Sequence, residues 1–176
     1  MKKIFAIIFL CVLTIGGALF WSRSMQESTY HKEYLRIHIR ANSNLSVDQD
    51  VKYLIKDEIV EFLTPIICEC NTKQDFEKKI GENLCNIECI ANKILAQNSF
   101  DYKSSACLKN EYFPVRSYDD LTLESGYYDA LIVGLGEAKG DNWWCVVYPP
   151  LCFLNGKTKT TYKSRIVEII KKYFGG

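Results

Sequence analysis

The sequence predicts a single α+β domain behind an N-terminal export segment, and three observations lead to this fold class. With 176 residues, the chain is long enough for one hydrophobic core and too short for two ordinary domains. Hydrophobic residues make up 48% of the chain, which favours a packed core over a disordered chain. The hydrophobic period changes from two to helical spacing and back to two. We therefore expect a mixed or antiparallel sheet with two N-terminal amphipathic helices and one C-terminal helix.

Residues 1–24 have the composition of a secretory signal. Two lysines near the start are followed by an uncharged apolar run over residues 4–21. This run is long for a signal peptide and slightly short for a membrane span, so the segment is interpreted as a cleaved signal peptide or a signal anchor. Residues 25–33 would form a short linker and residues 34–176 the exported domain. An uncleaved segment would hold the protein at the membrane.

The balance of charges excludes nucleic acid as a partner. The chain has 22 Lys and Arg residues against 21 Asp and Glu residues, for a formal net charge of +1. Residues 1–24 contain three of the basic residues and no acidic residue, so the exported part would be slightly acidic. Binding to phosphate groups requires a clustered basic excess, which this composition does not provide.

The domain begins with a strand and a turn. Apolar and polar residues alternate from Tyr34 to Arg40, which predicts a half-buried strand. His38 would lie on its polar face, between two arginines. The next residues, 41–44, are Ala-Asn-Ser-Asn and predict a turn, because Asn and Ser side chains hydrogen-bond to nearby backbone groups.

Apolar residues at helical spacing then predict two helices. The first would begin at a capping box formed by Ser46 and Gln49 and would end at Pro65, which lacks the N–H group that a helix uses. The second would extend from Thr72 to about Gln97. Both patterns are amphipathic, so both helices would pack one face against the sheet.

From Phe100 onward the apolar period returns to two, which predicts a series of strands. The run from Tyr127 to Leu135 is apolar on both faces, as a central strand would be. A further aromatic and β-branched run from Trp143 to Tyr148 ends at a Pro-Pro pair. An amphipathic pattern with basic residues from Tyr162 to Phe174 predicts the C-terminal helix.

The segment between the last two strands contains Gly134, Gly136 and Gly140. Glycines in such a segment provide either positive φ angles or room for a close backbone approach. A phosphate-binding loop is the functional alternative, but neither of the standard phosphate-loop motifs is present, and a strand rather than a helix follows. The segment is therefore predicted to be a structural loop.

Two adjacent tryptophans, Trp143 and Trp144, follow this loop. Neighbouring residues of a strand point to opposite faces, so one ring would enter the core and the other would be exposed. An exposed tryptophan would serve at a protein interface or in a cell-wall glycan-binding module, because large rigid aromatic side chains dominate such contacts.

Cys145 and Cys152 flank the Pro-Pro pair, and three interpretations remain open. They could form a disulfide that fixes the shape of the segment, or they could be two buried free thiols. Alternatively, Cys145 could be the nucleophile of a secreted cysteine hydrolase with His38 as its base. A cell-wall hydrolase with Asp141 or Glu137 as its acid is a further alternative.

The other cysteines do not predict a cofactor. Cys68, Cys70, Cys85 and Cys89 could gather on one zinc ion, but their spacing differs from that of common zinc sites, and an exported protein favours oxidation or burial of thiols. Cys107 has no obvious partner in the sequence. We therefore expect neither a metal ion nor another cofactor.

Several blocks of the sequence resemble the stage II sporulation protein R family. The most specific block is NWWCVVYPPLCF, at residues 142–153. The patterns LRIHxxANS at residues 35–43 and GxYxAL at residues 126–131 are also similar, and they occur in the same order as in the family. The likeness covers about residues 34–154, which is nearly the whole predicted domain.

This resemblance implies a signalling protein of endospore formation that is not an enzyme. Proteins similar to this one are made in the forespore and secreted into the space between the two membranes. There they activate a membrane-embedded aspartic protease of the mother cell, which then processes the pro-form of the sigma factor σE. The resemblance thus implies a protein partner in a membrane, and neither catalytic residues nor a cofactor.

We expect the protease to contact a preorganised surface. This surface, called the tryptophan surface below, consists of Asp141, Asn142, Trp143 and Trp144. A disulfide between Cys145 and Cys152 would hold it in shape and so lower the ordering cost of binding. Three further residues would lie on the adjoining edge: His38, Asn42 and Ser43.

Overall fold

The computed structural model describes residues 31–118, 121–153 and 160–175. The chain divides into two compact units, Met1–Glu33 and Tyr34–Gly176, and the strands and helices of the predicted domain belong to the second unit. The predicted export segment lies outside the described residues. Within the described ranges, no helix has both the length and the apolar composition needed to cross a membrane.

The second unit is an α+β domain, as predicted. In chain order, its helices are α1 (Ser46–Cys68), α2 (Lys73–Glu82), α3 (Leu84–Gln97) and α4 (Thr160–Phe174). Its strands are β1 (Leu35–Arg40), β2 (Ser104–Phe113), β3 (Arg116–Tyr118), β4 (Leu121–Leu123), β5 (Gly126–Leu135) and β6 (Asn142–Tyr148). A short 3-10 turn, Leu151–Phe153, follows β6. The order of strand, helices, strands and helix confirms the predicted fold class.

The main sheet has the strand order β2-β5-β1-β6, and β3 and β4 form a separate two-stranded sheet. β1 is parallel to β5 and antiparallel to β6, while β2 is antiparallel to β5. The sheet is therefore mixed, with β2 and β6 at its two edges. β5 is an interior strand, which confirms the interpretation of its apolar residues on both faces.

The prediction that β1 is half-buried is wrong, because both of its faces are covered. Leu35, Ile37 and Ile39 pack against the helices, in the larger hydrophobic cluster. Arg36 and His38, on the opposite face, are also buried, since a second cluster that includes Phe113, Tyr128 and Leu123 covers that side. Alternation along a strand identifies two faces, but it does not show whether the polar face meets water or a second layer of protein.

The first helix differs from its prediction at both ends. Pro65 lies inside α1, which continues to Cys68, because Leu63 and Ile67 on either side of it are both buried in the core. Packing of these two residues outweighs the loss of one hydrogen bond at the proline. At the other end the N-cap is Leu45, and no side chain caps the helix, so the predicted capping box does not form.

The second predicted helix is two helices, separated at Asn83. The Asn83 side chain donates to the carbonyl oxygen of Lys79 (2.8 Å), and its backbone N–H donates to that of Ile80 (2.9 Å). Asparagine ends helices readily because its amide competes for nearby backbone groups. α2 begins at a capping box between Thr72 and Asp75, while the C-terminal helix α4 confirms its prediction.

Candidate functional site

The turn after β1 and the loop before β6 are joined by backbone hydrogen bonds. The N–H of Gly140 donates to the carbonyl oxygen of Ala41 (2.9 Å), and the N–H of Lys139 donates to that of Asn42 (3.2 Å). The side-chain oxygen of Asn42 also accepts from the N–H of Glu137 (2.9 Å). These bonds connect segments that are about a hundred residues apart in sequence, so the loop has a defined position against the turn.

Two glycines make this close contact possible. Gly136 has a φ of 57°, and a side chain there would also overlap the Asn42 amide. A Cβ atom at Gly140 would overlap the carbonyl oxygen of Ser43. The predicted reasons for glycine are therefore both confirmed: a positive φ at Gly136 and a close backbone approach at Gly140.

Asp48, in the first turn of α1, lies at the centre of a buried hydrogen-bond network. Its side chain is 2% exposed, and its carboxylate accepts from Asn42 Nδ2 (3.0 Å), Ser43 Oγ (2.5 Å) and Tyr102 OH (2.5 Å). Burial alone would raise the pKa of Asp48, but the hydrogen bonds from Ser43, Tyr102 and Asn42 outweigh it and lower this pKa. Asp48 is therefore ionised at neutral pH and holds the turn onto α1.

Lys52, one helical turn later, connects α1 to the start of the tryptophan surface. Its side chain is 1% exposed, and Nζ donates to Gln49 Oε1 (2.6 Å) and to the backbone oxygen of Asp141 (3.0 Å). The N–H of Asp141 donates to Asn44 Oδ1 (2.6 Å). The backbone of Asp141 is thus bonded on both sides, while the side chains of Asp141 and Asn142 are exposed.

Asn42 and Ser43 lie beside this surface, and the bonds described above direct their side chains inward. Both residues are half-buried, and both donate to Asp48. Ser43 also provides its backbone oxygen to Gln49 Nε2 (2.9 Å). Their geometry fits residues that position the surface better than residues that contact a partner themselves.

The two tryptophans of β6 are both half-buried, which corrects the expectation that one would be buried and the other exposed. Trp143 packs against the cluster on the helix side of the sheet, and Lys56 Nζ lies 5.7 Å from the centre of its ring. Trp144 lies on the other side, stacked on His38 with ring centres 3.6 Å apart and in edge contact with Phe113 at 4.8 Å. The two rings lie on opposite faces of the sheet, and both faces are covered near this edge. Trp143 and Trp144 therefore do not form one continuous aromatic surface on which a glycan could stack.

His38 is buried and neutral. It is 1% exposed, and its Nδ1 lies 4.0 Å from a carboxylate oxygen of Glu111, which also pairs with Arg40. Burial and the nearby charge of Arg40 lower the pKa of His38 to about 4. At neutral pH the ring therefore packs as an uncharged aromatic group against Trp144.

The proposed Cys145–His38 pair of a cysteine hydrolase does not form. His38 is paired with Trp144 across the β1–β6 ladder and Ile37 with Cys145, so His38 and Cys145 belong to opposite faces of the sheet. Cys145 is bonded to Cys152, with their Cα atoms 6.0 Å apart. The disulfide interpretation is confirmed, and it excludes the sulfur of Cys145 as a free nucleophile in this state.

The two acidic residues considered for a cell-wall hydrolase, Glu137 and Asp141, are both exposed. Glu137 is bonded to Lys139 (2.9 Å), and this contact lowers the pKa of Glu137. A catalytic acid needs the opposite shift, so that it carries a proton near neutral pH. Asp141 is fixed through its backbone, and its side chain is exposed.

The other five cysteines of the described residues are free thiols with different environments. Cys70 is buried and its Sγ lies 3.2 Å from the carbonyl oxygen of Ile66, while Cys68 is half-buried. Cys85, Cys89 and Cys107 are exposed. Across residues 31–118, 121–153 and 160–175, no three His, Cys, Asp or Glu side chains are grouped so that they could hold a metal ion.

Arg36 is a structural centre that the sequence pattern of β1 does not indicate. This residue is completely buried, and its guanidinium carbon lies 4.2 Å from the ring centre of Phe113 and 4.8 Å from that of Tyr128. Its NH2 group donates to Tyr118 OH (2.7 Å), which ties β3 to the main sheet. The signal that could have indicated this role is the group of aromatic residues in the later strands, because guanidinium groups pack favourably on aromatic rings.

Comparison with known proteins identifies the family. The model of the stage II sporulation protein R (spore_II_R) family matches residues 31–158. The chain is also 29% identical over 164 residues to the stage II sporulation protein R of Bacillus subtilis (strain 168), an alignment that covers 88% of this chain and 73% of that protein. No solved structure matches the chain. Because the family match spans the turn, the network around Asp48 and the tryptophan surface, this chain belongs to the stage II sporulation protein R family.

Proposed function

We propose that this protein is an exported signal of endospore formation that activates a membrane-embedded aspartic protease of the mother cell. The activated protease would then process the pro-form of the sigma factor σE. Membership of the stage II sporulation protein R family supports a role in sporulation. Export, activation of the protease and processing of the sigma factor are supported by the function that the family resemblance implies, together with the geometry of the tryptophan surface.

The rigid presentation of the tryptophan surface is the observation that carries this proposal. The backbone of Asp141 is bonded to Lys52 and Asn44, and the Cys145–Cys152 disulfide constrains the other end of the same segment. A surface that is ordered before binding loses less conformational entropy when a partner docks. Exposed polar groups next to large aromatic rings are also typical of binding hot spots.

The protein would act by binding and not by catalysis. Cys145 is in a disulfide, His38 is enclosed and neutral, and the pKa of Glu137 is lowered. None of these three candidates has the properties of a nucleophile, base or acid. The partner proposed here therefore supplies all the chemistry of sigma-factor processing.

Secretion from the forespore into the intermembrane space is part of the proposal. It rests on the sequence of residues 1–24, which has the pattern of an export signal. An uncleaved segment would anchor the domain through residues 4–21 and place it close to a protease that is itself in a membrane. Either arrangement delivers the domain to the same compartment.

Reconstitution in a non-sporulating bacterium tests the proposal. The full chain is expressed together with the membrane protease and the pro-sigma factor, and removal of the pro-segment is followed by gel mobility. Processing is expected only when all three proteins are present. An absence of processing, with the three proteins present and this chain exported, would contradict the activator function.

Two variants then test the surface. Trp143→Ala should reduce processing about tenfold or more, because a large side chain near the centre of an interface typically contributes 2 kcal/mol or more to binding. Phe174→Ala, which removes an exposed aromatic ring from α4, is the matched control and should process normally. Wild-type processing by a folded Trp143→Ala protein would count against this surface.

Cys145→Ser tests the role of the disulfide. Loss of this short cross-link should lower the free energy of unfolding by about 2–3 kcal/mol and reduce processing, because the segment after β6 would no longer be constrained. Cys107→Ser, at an exposed free thiol, is the control. Full processing by Cys145→Ser would show that activation does not need the disulfide.

A further inference from the structure

The two edges of the main sheet differ in how their backbone groups are covered. At the β2 edge, side chains of α3 accept hydrogen bonds from the strand: Asn92 Oδ1 from the N–H of Ser104 (2.8 Å) and Glu88 Oε1 from the N–H of Ala106 (2.7 Å). An uncovered strand edge is a template for pairing with another chain, and these contacts cover the first part of β2, at Ser104 and Ala106.

The β6 edge is covered over only part of its length. The 3-10 turn folds back along the strand, and Cys152 Sγ lies 2.9 Å from the carbonyl oxygen of Val146. Because β1 occupies the inner side of β6, this contact places the Val146 carbonyl on the outer side. Successive residues of a strand direct their backbone groups to alternate sides, so the backbone groups of Asn142 and Trp144 also face outward.

The outward groups of Asn142 and Trp144 have no hydrogen-bond partner among the described residues. The first part of β6 also lacks the usual protection of an edge strand, since it contains no proline and no lysine. It has instead one tryptophan on each side of the sheet, with the exposed Asp141 at its start. An added strand would therefore find free backbone groups between two aromatic side chains.

The charge on the Trp144 side of this edge favours an acidic side chain in the added strand. Arg116 lies 5.8 Å from the ring centre of Trp144, is exposed, and has no ion pair with any described residue. On the other side of the sheet, Lys56 lies near Trp143 but is already paired with Asp57 (2.5 Å). A carboxylate on the Trp144 side would thus meet a cation that is not paired with any described residue.

We propose that an extended segment of the partner adds as a strand to the outer edge of β6 at Asn142–Trp144, with an acidic side chain facing Arg116. This inference rests on the proposed function, and its partner is the extracytoplasmic part of the membrane protease. Main-chain hydrogen bonds to the edge provide affinity, and the two tryptophans and Arg116 select the side chains of the added strand. A preformed, rigid edge needs little reorganisation to accept it.

Hydrogen–deuterium exchange of the full chain, with and without the purified full-length protease in detergent, locates the contact. The backbone amides of Asn142 and Trp144, which face away from β1, should exchange at least tenfold more slowly in the complex. The amides of Ser104 and Ala106 are an internal reference, because they are already bonded in the free protein and should not change.

Binding measurements on charge variants test the acidic side chain. Arg116→Glu should weaken binding to the same protease preparation about five- to tenfold, since an attraction becomes a repulsion, and added salt should reduce the difference. Lys93→Glu makes the same change of charge at an exposed site on α3, beside the opposite edge of the sheet, and serves as the control. A normal affinity for Arg116→Glu would overturn the charge assignment.

The outcomes separate this inference from the proposed function. Protease binding and processing with protection only outside residues 142–144 would overturn strand addition and leave the activator function intact. An absence of both binding and processing by folded proteins would overturn the activator function and, with it, this inference. Protection at residues 142–144 together with weaker binding by Arg116→Glu would support strand addition.

Discussion

At the scale of single residues, the acidic side chain at position 48 shows how one buried group organises a functional surface. It accepts hydrogen bonds from the turn after β1 and from Tyr102, which precedes β2. Three donors converge on one carboxylate, and hydrogen bonds to an ionised group are stronger than those to a neutral amide of the same size. The position of the turn, and through it of Asp141, depends on this charge.

Asp48→Asn should therefore lower the free energy of unfolding by about 2 kcal/mol, because hydrogen bonds to a charged carboxylate are replaced by weaker bonds to a neutral amide. Urea unfolding at pH 7 measures the effect. Asp50→Asn, at an exposed position in the same turn of α1, is the control and should change stability by less than about 0.5 kcal/mol. Equal stabilities of the two variants would contradict the role assigned to the network.

The buried histidine at position 38 predicts a pH dependence of stability. Its pKa is lowered to about 4 in the folded protein, whereas an unfolded histidine has a pKa of about 6.5. Between these values the unfolded chain binds a proton that the folded protein does not, so stability is highest above pH 6.5 and falls as the pH drops towards 4. The loss amounts to about 3 kcal/mol in total.

Urea unfolding between pH 7 and pH 4.5 measures this slope in the wild type and in His38→Gln. His38→Gln should be less stable than the wild type at pH 7, since it loses the stacking on Trp144. Most of the decrease in the free energy of unfolding between pH 6.5 and pH 4.5 should be absent from this variant. His31→Gln, which alters the other histidine of the chain, should retain the decrease. An unchanged slope in His38→Gln would show that another group is responsible.

At the scale of elements, the loop before β6 depends on glycine more than the helices do. Gly140→Ala places a methyl group against the carbonyl oxygen of Ser43 and should cost about 2–4 kcal/mol of stability. Gly81→Ala is the matched control. Its new Cβ would lie 3.7 Å from Leu108 Cδ1, and alanine favours the helix, so stability should be unchanged or rise by up to about 1 kcal/mol.

Thermal unfolding of the two glycine variants gives a direct comparison, because each adds one methyl group. In the processing assay, Gly140→Ala should also activate less than Gly81→Ala, since the displaced loop carries Asp141. Equal melting temperatures would contradict the close contact between the loop and the turn.

At the scale of the whole molecule, the final helix completes the core. Ile166 and Ile169 of α4 are buried in the larger hydrophobic cluster, and Arg165 Nε donates to the carbonyl oxygen of Cys68 (3.3 Å). The family match ends at residue 158, before this helix begins. α4 thus contributes to the stability of the domain from outside the matched region.

A chain that ends at residue 159 should be less stable than the full chain by about 3–6 kcal/mol, the value expected for exposing two buried isoleucine side chains. Removal of residues 175–176 alone is the control, since they follow the end of α4. Denaturant unfolding of the three proteins measures the difference. Equal stability of the long truncation and the full chain would show that the packing of α4 contributes little.

Much of this fold could be predicted from local patterns. The β5 run is apolar on both faces because it is an interior strand, and the basic amphipathic pattern near the C-terminus corresponds to α4. The helix boundaries were less predictable. Pro65 does not end α1, because the packing of the residues around it outweighs the helix-breaking effect of proline. Asn83 divides a continuous helical pattern of apolar residues into two helices, because its side chain hydrogen-bonds to the backbone of the preceding turn.

The sequence by itself determined the fold class, the family resemblance and the segment that carries the tryptophans, because hydrophobic period and short motifs are local properties of a chain. Only the tertiary structure decided the environment of each site residue. His38 became a neutral aromatic partner of Trp144, and Asp48 and Lys52 became the supports of the loop. Burial and hydrogen bonding depend on which distant segments meet, and a second layer over the sheet is not encoded in the period of any single strand.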